Sequence, residues 1–403
     1  MGAEFKRFGN IYKASVYSTT AYVVNDPQYA DHVLRVNWQN YKKGQAIKRV
    51  GLLLGDGLMV SEGEFWKSQR RMIQPSFHDD AVGGLAEVIR TANIGLCKRW
   101  EDAAKETSSI NVTRDISLMV LNVTLVSIFG DDYEQVAPHF SVLSEESARN
   151  LQFAQTFRSL GKIVVQVVAQ RRKENRASVD ILGMLMEARD RESGHVMPDR
   201  QLVSEIMTLI VAGHETTAST LNWAWYLLSQ DKNVEERLSA EVSNIRETEF
   251  PKLGDLPKFA YTRQVLEEAL RLYPAGWLMT RKALKDDHLG DYFVPAGTEI
   301  YISPYFIQRN PAFWEAPDEF NPERFDPSHA KDRHTLTMLP FSAGPRKCIG
   351  EFLARIEMQI HLMTIARQLR LRYAGATPPE LEAGVNLRSK HDFIMYPEIK
   401  TTD

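Results

Sequence analysis

The sequence predicts a mainly α-helical protein with small β-sheets at its periphery, and three observations carry that prediction. Apolar residues recur at a spacing near 3.6 through residues 81–100, 116–129, 180–191 and 356–371. A longer stretch, 198–228, keeps that period over about 30 residues, so one helix of about 45 Å should cross the domain. Extended signals are short and scattered: 11–16 with 21–24, 292–294 with 298–302, and 393–399 near the end.

Composition narrows the class. The 403 residues are 43% hydrophobic and 25% charged, which suits a globular protein with a large core. No linker, repeat or low-complexity tract divides them, which favours a single domain over 1–403. A formal charge of -3 argues against a general nucleic-acid binder, which needs a basic surplus. The longest apolar run, 118–129, is interrupted by Asn122, Thr124 and Ser127 and falls short of the ~18 residues that argue for a membrane span. The opening residues lack the basic, apolar and small-residue sequence of a secretory signal. A cytoplasmic monomer with no membrane segment is therefore expected. Two cysteines, Cys97 and Cys348, make no disulfide framework, so each is either a buried small hydrophobe or a reactive ligand.

The middle of the long helix breaks local rules. The apolar run Leu209-Ile210-Val211-Ala212 meets Gly213-His214-Glu215-Thr216-Thr217, with a glycine, an acid and two β-branched hydroxyls where propensity favours alanine or leucine. Rule-breaking of this kind marks functional sites. It also arises when threonines only back-bond to the preceding turn and bend the helix.

The sharpest signal is the loop Phe341-Ser342-Ala343-Gly344-Pro345-Arg346-Lys347-Cys348-Ile349-Gly350, which runs straight into a helical stretch, 351–370. Gly344 and Gly350 would let backbone approach a bulky flat ligand, and the helix start would turn free N–H groups toward the sulfur and favour thiolate. Arg346 offers a fork of donors for a carboxylate. Cys97 lies on the apolar face of an ordinary helix, where a buried, inert thiol is the favoured reading.

In this loop the chain resembles the cytochrome P450 family, whose haem-binding loop has Phe, Gly, Arg, Cys and Gly at this spacing. Five fixed residues would match by chance on the order of once in ten thousand chains of this length. The resemblance runs through nearly the whole chain. It implies the cytochrome P450 fold, a large helical domain with a long central helix over a haem b, and Cys348 as axial ligand of the iron. Glu268-Ala269-Leu270-Arg271 matches the family's Glu-x-x-Arg helix, with Arg324 as third member of a buried ion network. Glu146-Ser147-Ala148-Arg149 fits the same short pattern, but only the later copy is followed by Leu272-Tyr273-Pro274 and precedes the cysteine loop. Trp66 and Arg70, four apart on one helix face, match the family's haem-propionate pair, and Arg281 and Arg346 match further propionate positions. Phe341, Gly344, Gly350, Ala212 and Gly213 are implied to border the haem. Glu215 and Thr216 take the places of the oxygen-activating acid and alcohol, and His214 is assigned no chemistry.

The enzyme implied by the resemblance is a monooxygenase that inserts one atom of O2 into an apolar small molecule: a terpenoid, fatty acid or aromatic compound. Leu58, Ile210, Trp277, Leu278, Met279 and Phe393 are implied as pocket wall. No nicotinamide, flavin or iron–sulfur motif is visible, so electrons should come from a separate ferredoxin or flavodoxin-type donor, with Lys67, Arg71, Arg346 and Lys347 as candidate docking charges. Two other readings of the fold stay open at this level, a haem-binding sensor or carrier and a peroxide-using or rearranging variant. The chain departs from the family pattern twice: around 147–161, where the substrate lid is expected, it is shorter by about two helical turns, and a proline-rich lead-in before Phe5 is missing.

Overall fold

The long apolar-periodic stretch folds as one helix, Asp199–Gln230, 32 residues in length and here termed the central helix. The computed structural model describes residues 2–16, 19–78, 82–144, 152–176, 178–245, 250–332 and 335–400. Part of the shortened lid region, residues 147–151, lies outside them. The chain divides into two compact units, one comprising Met1–Val50, Gln264–Cys348 and Leu381–Arg388, the other Gly51–Arg263, Ile349–Glu380 and Ser389–Asp403.

The second unit is helical and built on the central helix. From Ala218 to Leu228 every residue of that helix is buried, the pattern of a helix surrounded by protein on all sides. Helix Val112–Phe129 packs along it, and helix Gln152–Glu174 also contacts it. By length and composition the stretch Val112–Ser144 could cross a membrane, but most of its apolar side chains up to Phe129 are core. A polar triad ties three helices together inside this core. His361, on Glu351–Ala366, has Nδ1 2.6 Å from Asn93 Oδ1 and accepts from Trp225 Nε1 at 2.8 Å, which fixes its tautomer. Burial pushes the His361 pKa down to about 3, so the imidazole stays neutral.

Two expected helices stop early, each for a local reason. The 180–191 segment is helical only over Ile181–Glu187, capped by Asp180. Ala188 then turns extended, and Arg189 bridges to Val196. Asp190 becomes the hub of that turn, accepting from Ser193 Oγ at 2.7 Å and from Arg71 at 2.6 and 2.9 Å. The 356–371 segment is helix Glu351–Ala366 followed by strand Leu369–Tyr373. Leu369 and Leu371 are buried by strand alternation, but Leu369, four residues after Ile365, also continues the helical spacing. The helix expected at 81–100 runs Leu85–Lys105.

The first unit is organised by a five-stranded sheet with spatial order Ile11–Val16, Thr19–Val24, Glu299–Ile302, Met279–Ala283 and Tyr41–Lys43. The first hairpin is as expected. The pairing of 292–294 with 298–302 is not. Tyr292–Val294 pairs with Asp287–Leu289, and the turn at Gly297, φ +85°, sends Glu299–Ile302 into the larger sheet. The core of this unit includes Val33, Leu34, Tyr41, Ile300, Ile302, Leu339 and Ala343, and so reaches the residue before Gly344.

Candidate functional site

The cysteine loop is a tight turn with two left-handed residues. Ser342 has φ +63° and Gly344 φ +72°. Gly344–Arg346 forms a single 3-10 turn, Lys347 N–H donates to the Gly344 carbonyl at 3.0 Å, and Cys348 N–H donates to the Phe341 carbonyl at 2.9 Å. A Cβ on Gly344 would lie 2.0 Å from the Leu34 carbonyl oxygen, so packing and backbone angle both demand glycine there. Gly350 differs: a Cβ there would meet only the Phe77 ring, at 4.0 Å, so the protein's own packing leaves room beside it. Helix Glu351–Ala366 then begins with Gly350 at its cap and no side chain on its first N–H groups, a positive end three residues beyond the sulfur.

The two cysteines have opposite environments. Cys97 is buried on helix Leu85–Lys105, with Sγ 3.6 Å from Glu101 and 4.0 Å from the Thr364 carbonyl, whereas Cys348 is exposed. Among the described residues no group of three or more His, Cys, Asp or Glu is placed to hold a metal ion. A lone exposed sulfur beside backbone that admits a flat group suits an iron whose other in-plane ligands come from a macrocycle. The loop therefore fits haem.

Of the residues expected to hold its carboxylates, Arg281 is buried on strand Met279–Ala283, with Nη1 2.9 Å from the Thr280 carbonyl. Arg346 is half-buried, with its guanidinium 5.2 Å from the centre of the Trp38 ring and Nη1 3.4 Å from the Trp38 carbonyl. Trp66 is buried on helix Gly63–Ile73, and Arg70, half-buried on the same helix, reaches Gln74 Oε1 at 3.1 Å. Arg71 drops out of the docking set. It forms a bidentate pair with buried Asp190 and contacts Glu192 at 3.0 Å, so its charge is spent inside the unit. Lys67 pairs with Glu64 at 2.7 Å.

On the central helix, Val211, Ala212, Gly213, Glu215 and Thr216 are half-buried, whereas Ile210, His214 and Thr217 are buried. His214 faces helix Val112–Phe129, its Nε2 2.8 Å from Ser117 Oγ, and burial pushes its pKa down to about 4. It is a neutral packing residue. The bare side of Gly213 also looks toward that helix, where a Cβ would meet Thr124 at 3.5 Å. Thr216 Oγ1 donates to the Ala212 carbonyl at 2.7 Å, so back-bonding and a position on the open face coexist.

Two expected pocket residues are core instead. Ile210 is 0% exposed and lies one turn before His214, and Phe393 stacks on Tyr226 and meets Trp223 and Tyr373 edge-on. The open face instead offers Val211, which the sequence reading passed over within a uniform apolar run. Glu205 was also missed: fully buried, it accepts from the Leu58 N–H at 2.8 Å and fixes the turn carrying Leu58. An acid within an apolar helix face was its signal. Leu278 and Met279 are half-buried, and Trp277, also half-buried, donates to the Gly384 carbonyl at 3.0 Å.

The expected ion network is present. Arg271 and Glu268 are both fully buried and joined by two bonds of 2.6 and 2.7 Å. Arg324 approaches Glu268 at 3.3 Å, and Asn321 N–H donates to it at 2.9 Å. Arg271 also serves the carbonyls of Gln308, Pro317 and Glu319, at 2.6 to 3.0 Å.

Comparison with known proteins agrees with these features. The cytochrome P450 family model matches residues 3–160 and 136–395. Cyclooctatin synthase of Streptomyces melanosporofaciens is 31% identical over 92% of this chain and 84% of its own, and cyclooctat-9-en-7-ol 5-monooxygenase of the same organism is 32% identical over 93% and 85%. Pentalenene oxygenase of Streptomyces avermitilis is 27% identical over 90% and 84%. Among solved structures, the haem domain of cytochrome P450DA superposes with TM-score 0.87 over 97% of this chain and 89% of that one, at 23% identity, which shows a shared fold. A thiol loop fitted to haem, a long central helix and the matched family model lead to one conclusion: this chain belongs to the cytochrome P450 family and is a haem-thiolate monooxygenase.

Proposed function

We propose that this enzyme oxygenates a cyclic terpenoid, taking its electrons from a separate ferredoxin or flavodoxin-type donor and working as a single haem domain over residues 1–403. When bound, haem b supplies the activation of O2 and the transfer of one oxygen atom. Cys348 would hold the iron as thiolate. Arg70, Arg281 and Arg346, with Trp66, would hold the propionates, while Phe341, Gly344, Gly350, Ala212 and Gly213 would border the ring. By resemblance to the family, Leu58, Trp277, Leu278 and Met279 would line the substrate side, and half-buried Val211 adds apolar surface on the central helix. The observation that carries the substrate class is the set of relatives named for cyclooctatin, cyclooctat-9-en-7-ol and pentalenene. Purified protein supplied with NADPH and a surrogate donor pair should hydroxylate members of a cyclic terpene panel. Turnover confined to fatty acids or simple aromatics would overturn the class.

Glu215 and Thr216 are the proton-handling pair on the central helix. Thr216 holds a proton and water at its hydroxyl, and Glu215 passes protons from solvent. Thr216→Ala should leave the carbon monoxide spectrum intact while product per NADPH falls about tenfold or more and hydrogen peroxide rises. Glu215→Gln should slow the whole cycle instead. Full coupling in Thr216→Ala would remove the alcohol from the chemistry.

Electron entry is assigned to the exposed positive charge of Lys347, the residue next to the sulfur-bearing Cys348. Lys347→Glu should slow reduction by an acidic ferredoxin by about three- to tenfold at low ionic strength, with the difference fading as salt screens it. Equal rates at low salt would place docking elsewhere.

A further inference from the structure

One carboxylate far from the cysteine loop in sequence is connected to it through a short chain of contacts within a single unit. Asp287 Oδ2 accepts from His32 Nε2 at 2.9 Å, Asn37 Nδ2 at 3.0 Å and Tyr41 Oη at 2.6 Å, and Oδ1 accepts from the His288 N–H at 2.9 Å. Its side chain is 13% exposed, and Tyr41 is fully buried. Burial opposes the charge, but the bonds from Tyr41 and His32 hold the Asp287 pKa down to about 2, so the anion persists at any working pH.

The three side-chain donors all belong to residues 32–41, which contain the turn His32–Val36, of π-helical pitch, and the 3-10 turn Trp38–Asn40. Neither is a stable element by itself, because each closes few backbone bonds of its own. Residues 284–285 add further stitches: Asn40 Nδ2 donates to the Lys285 carbonyl at 3.1 Å, and the Leu284 N–H donates to the Asn40 carbonyl at 2.8 Å. What this segment supports is the cysteine loop. The Leu34 carbonyl occupies the space where Gly344 has no side chain, and Trp38 lies beneath the Arg346 guanidinium and faces it with its carbonyl.

We propose that Asp287 is a positioning residue for the thiolate loop: by gathering His32, Asn37 and Tyr41 it sets the floor on which Gly344 and Arg346 rest, and so the place of the Cys348 sulfur. The proposal rests on the assignment of Cys348 as iron ligand. Nothing in the sequence pattern pointed to Asp287. Its partners lie some 250 positions upstream, and its role requires no contact with haem or substrate.

The test uses Asp287→Ala, Asp287→Asn and Tyr41→Phe, with Asp180→Ala as a control. Asp180→Ala breaks a buried cluster with Arg171 in the other unit and so should lower stability without reaching the loop. The Lys347 and Cys348 amides are hydrogen-bonded to the Gly344 and Phe341 carbonyls, so their hydrogens should exchange with solvent only when the loop opens. Asp287→Ala should speed that exchange by about tenfold, as losing hydrogen bonds to a charged group frees the loop to open locally. Asp287→Asn and Tyr41→Phe should give about two- to threefold. In haem-loaded protein the same order should appear in the share of the carbon monoxide complex lacking the red-shifted thiolate band. Should Asp287→Ala fail to fold, the two milder variants decide. Rates and spectra that match the parent, or that shift equally in Asp180→Ala, overturn the proposal. If Cys348→Ser keeps the thiolate band, the ligand assignment fails instead, and the exchange rates of the loop amides still report whether Asp287 holds the loop.

Discussion

Replacing Cys348 with serine is expected to remove the red-shifted Soret band of the reduced carbon monoxide complex and to cut monooxygenation by more than about a thousandfold. Cys348 would hold the haem iron as a thiolate, and an anionic sulfur ligand would supply both the red-shifted band and the electron density that favours activation of O2. A serine hydroxyl at neutral pH does neither. The helix start beyond Gly350 and the exposed position of the sulfur favour its thiolate form. Cys97→Ser is the matched control. Its thiol is buried against Thr364 and Glu101, and the substitution should leave the spectrum unchanged. Loss of the band in Cys97→Ser, or its survival in Cys348→Ser, would reverse the assignment.

The largest effect on stability is expected at Glu268. Removing its carboxylate in Glu268→Ala leaves the Arg271 guanidinium fully buried and without its counter-charge, a class of change that costs about 3–5 kcal/mol. Three carbonyls would still accept from Arg271, but they are dipoles and cannot replace a charge. Urea unfolding should show the loss, together with poor haem retention during purification. The double variant Glu268→Leu with Arg271→Leu should be less harmful than Glu268→Ala alone, because it buries no charge. If the single variant were as stable as the parent, the network would be ornamental rather than structural.

How much the sequence made legible depends on how local each signal is. The cysteine loop, the Glu-x-x-Arg helix and the central helix each lie within one stretch of chain, so each is legible as a local pattern. Features that depend on distant partners were not. The end of the helix at Glu187 depends on Asp190 meeting Arg71, more than a hundred positions away. Strand Leu369–Tyr373 depends on pairing with Ile394–Ile399, and Leu369 alone, four residues after Ile365, also fits a further turn of the helix before it. Ile210 and Val211 are adjacent and equally apolar, so only the identity of the neighbouring helix decides which one faces the open side. Phe393 fell to the same ambiguity, an aromatic residue whose company is set by Trp223 and Tyr226.

The central helix is unequal along its length, and this bears on how such an enzyme can change. From Thr217 to Leu228 every side chain is enclosed, and Trp225 is joined through His361 to Asn93, so an exchange there must be accommodated by three helices at once. Between Val211 and Thr216 one flank is open, and an exchange at Val211 alters the surface a substrate meets while disturbing few neighbours. Drift in substrate preference therefore has a narrow corridor. It can accumulate a few positions at a time on one side of the first half of the helix, while the second half is held fixed by selection for folding alone.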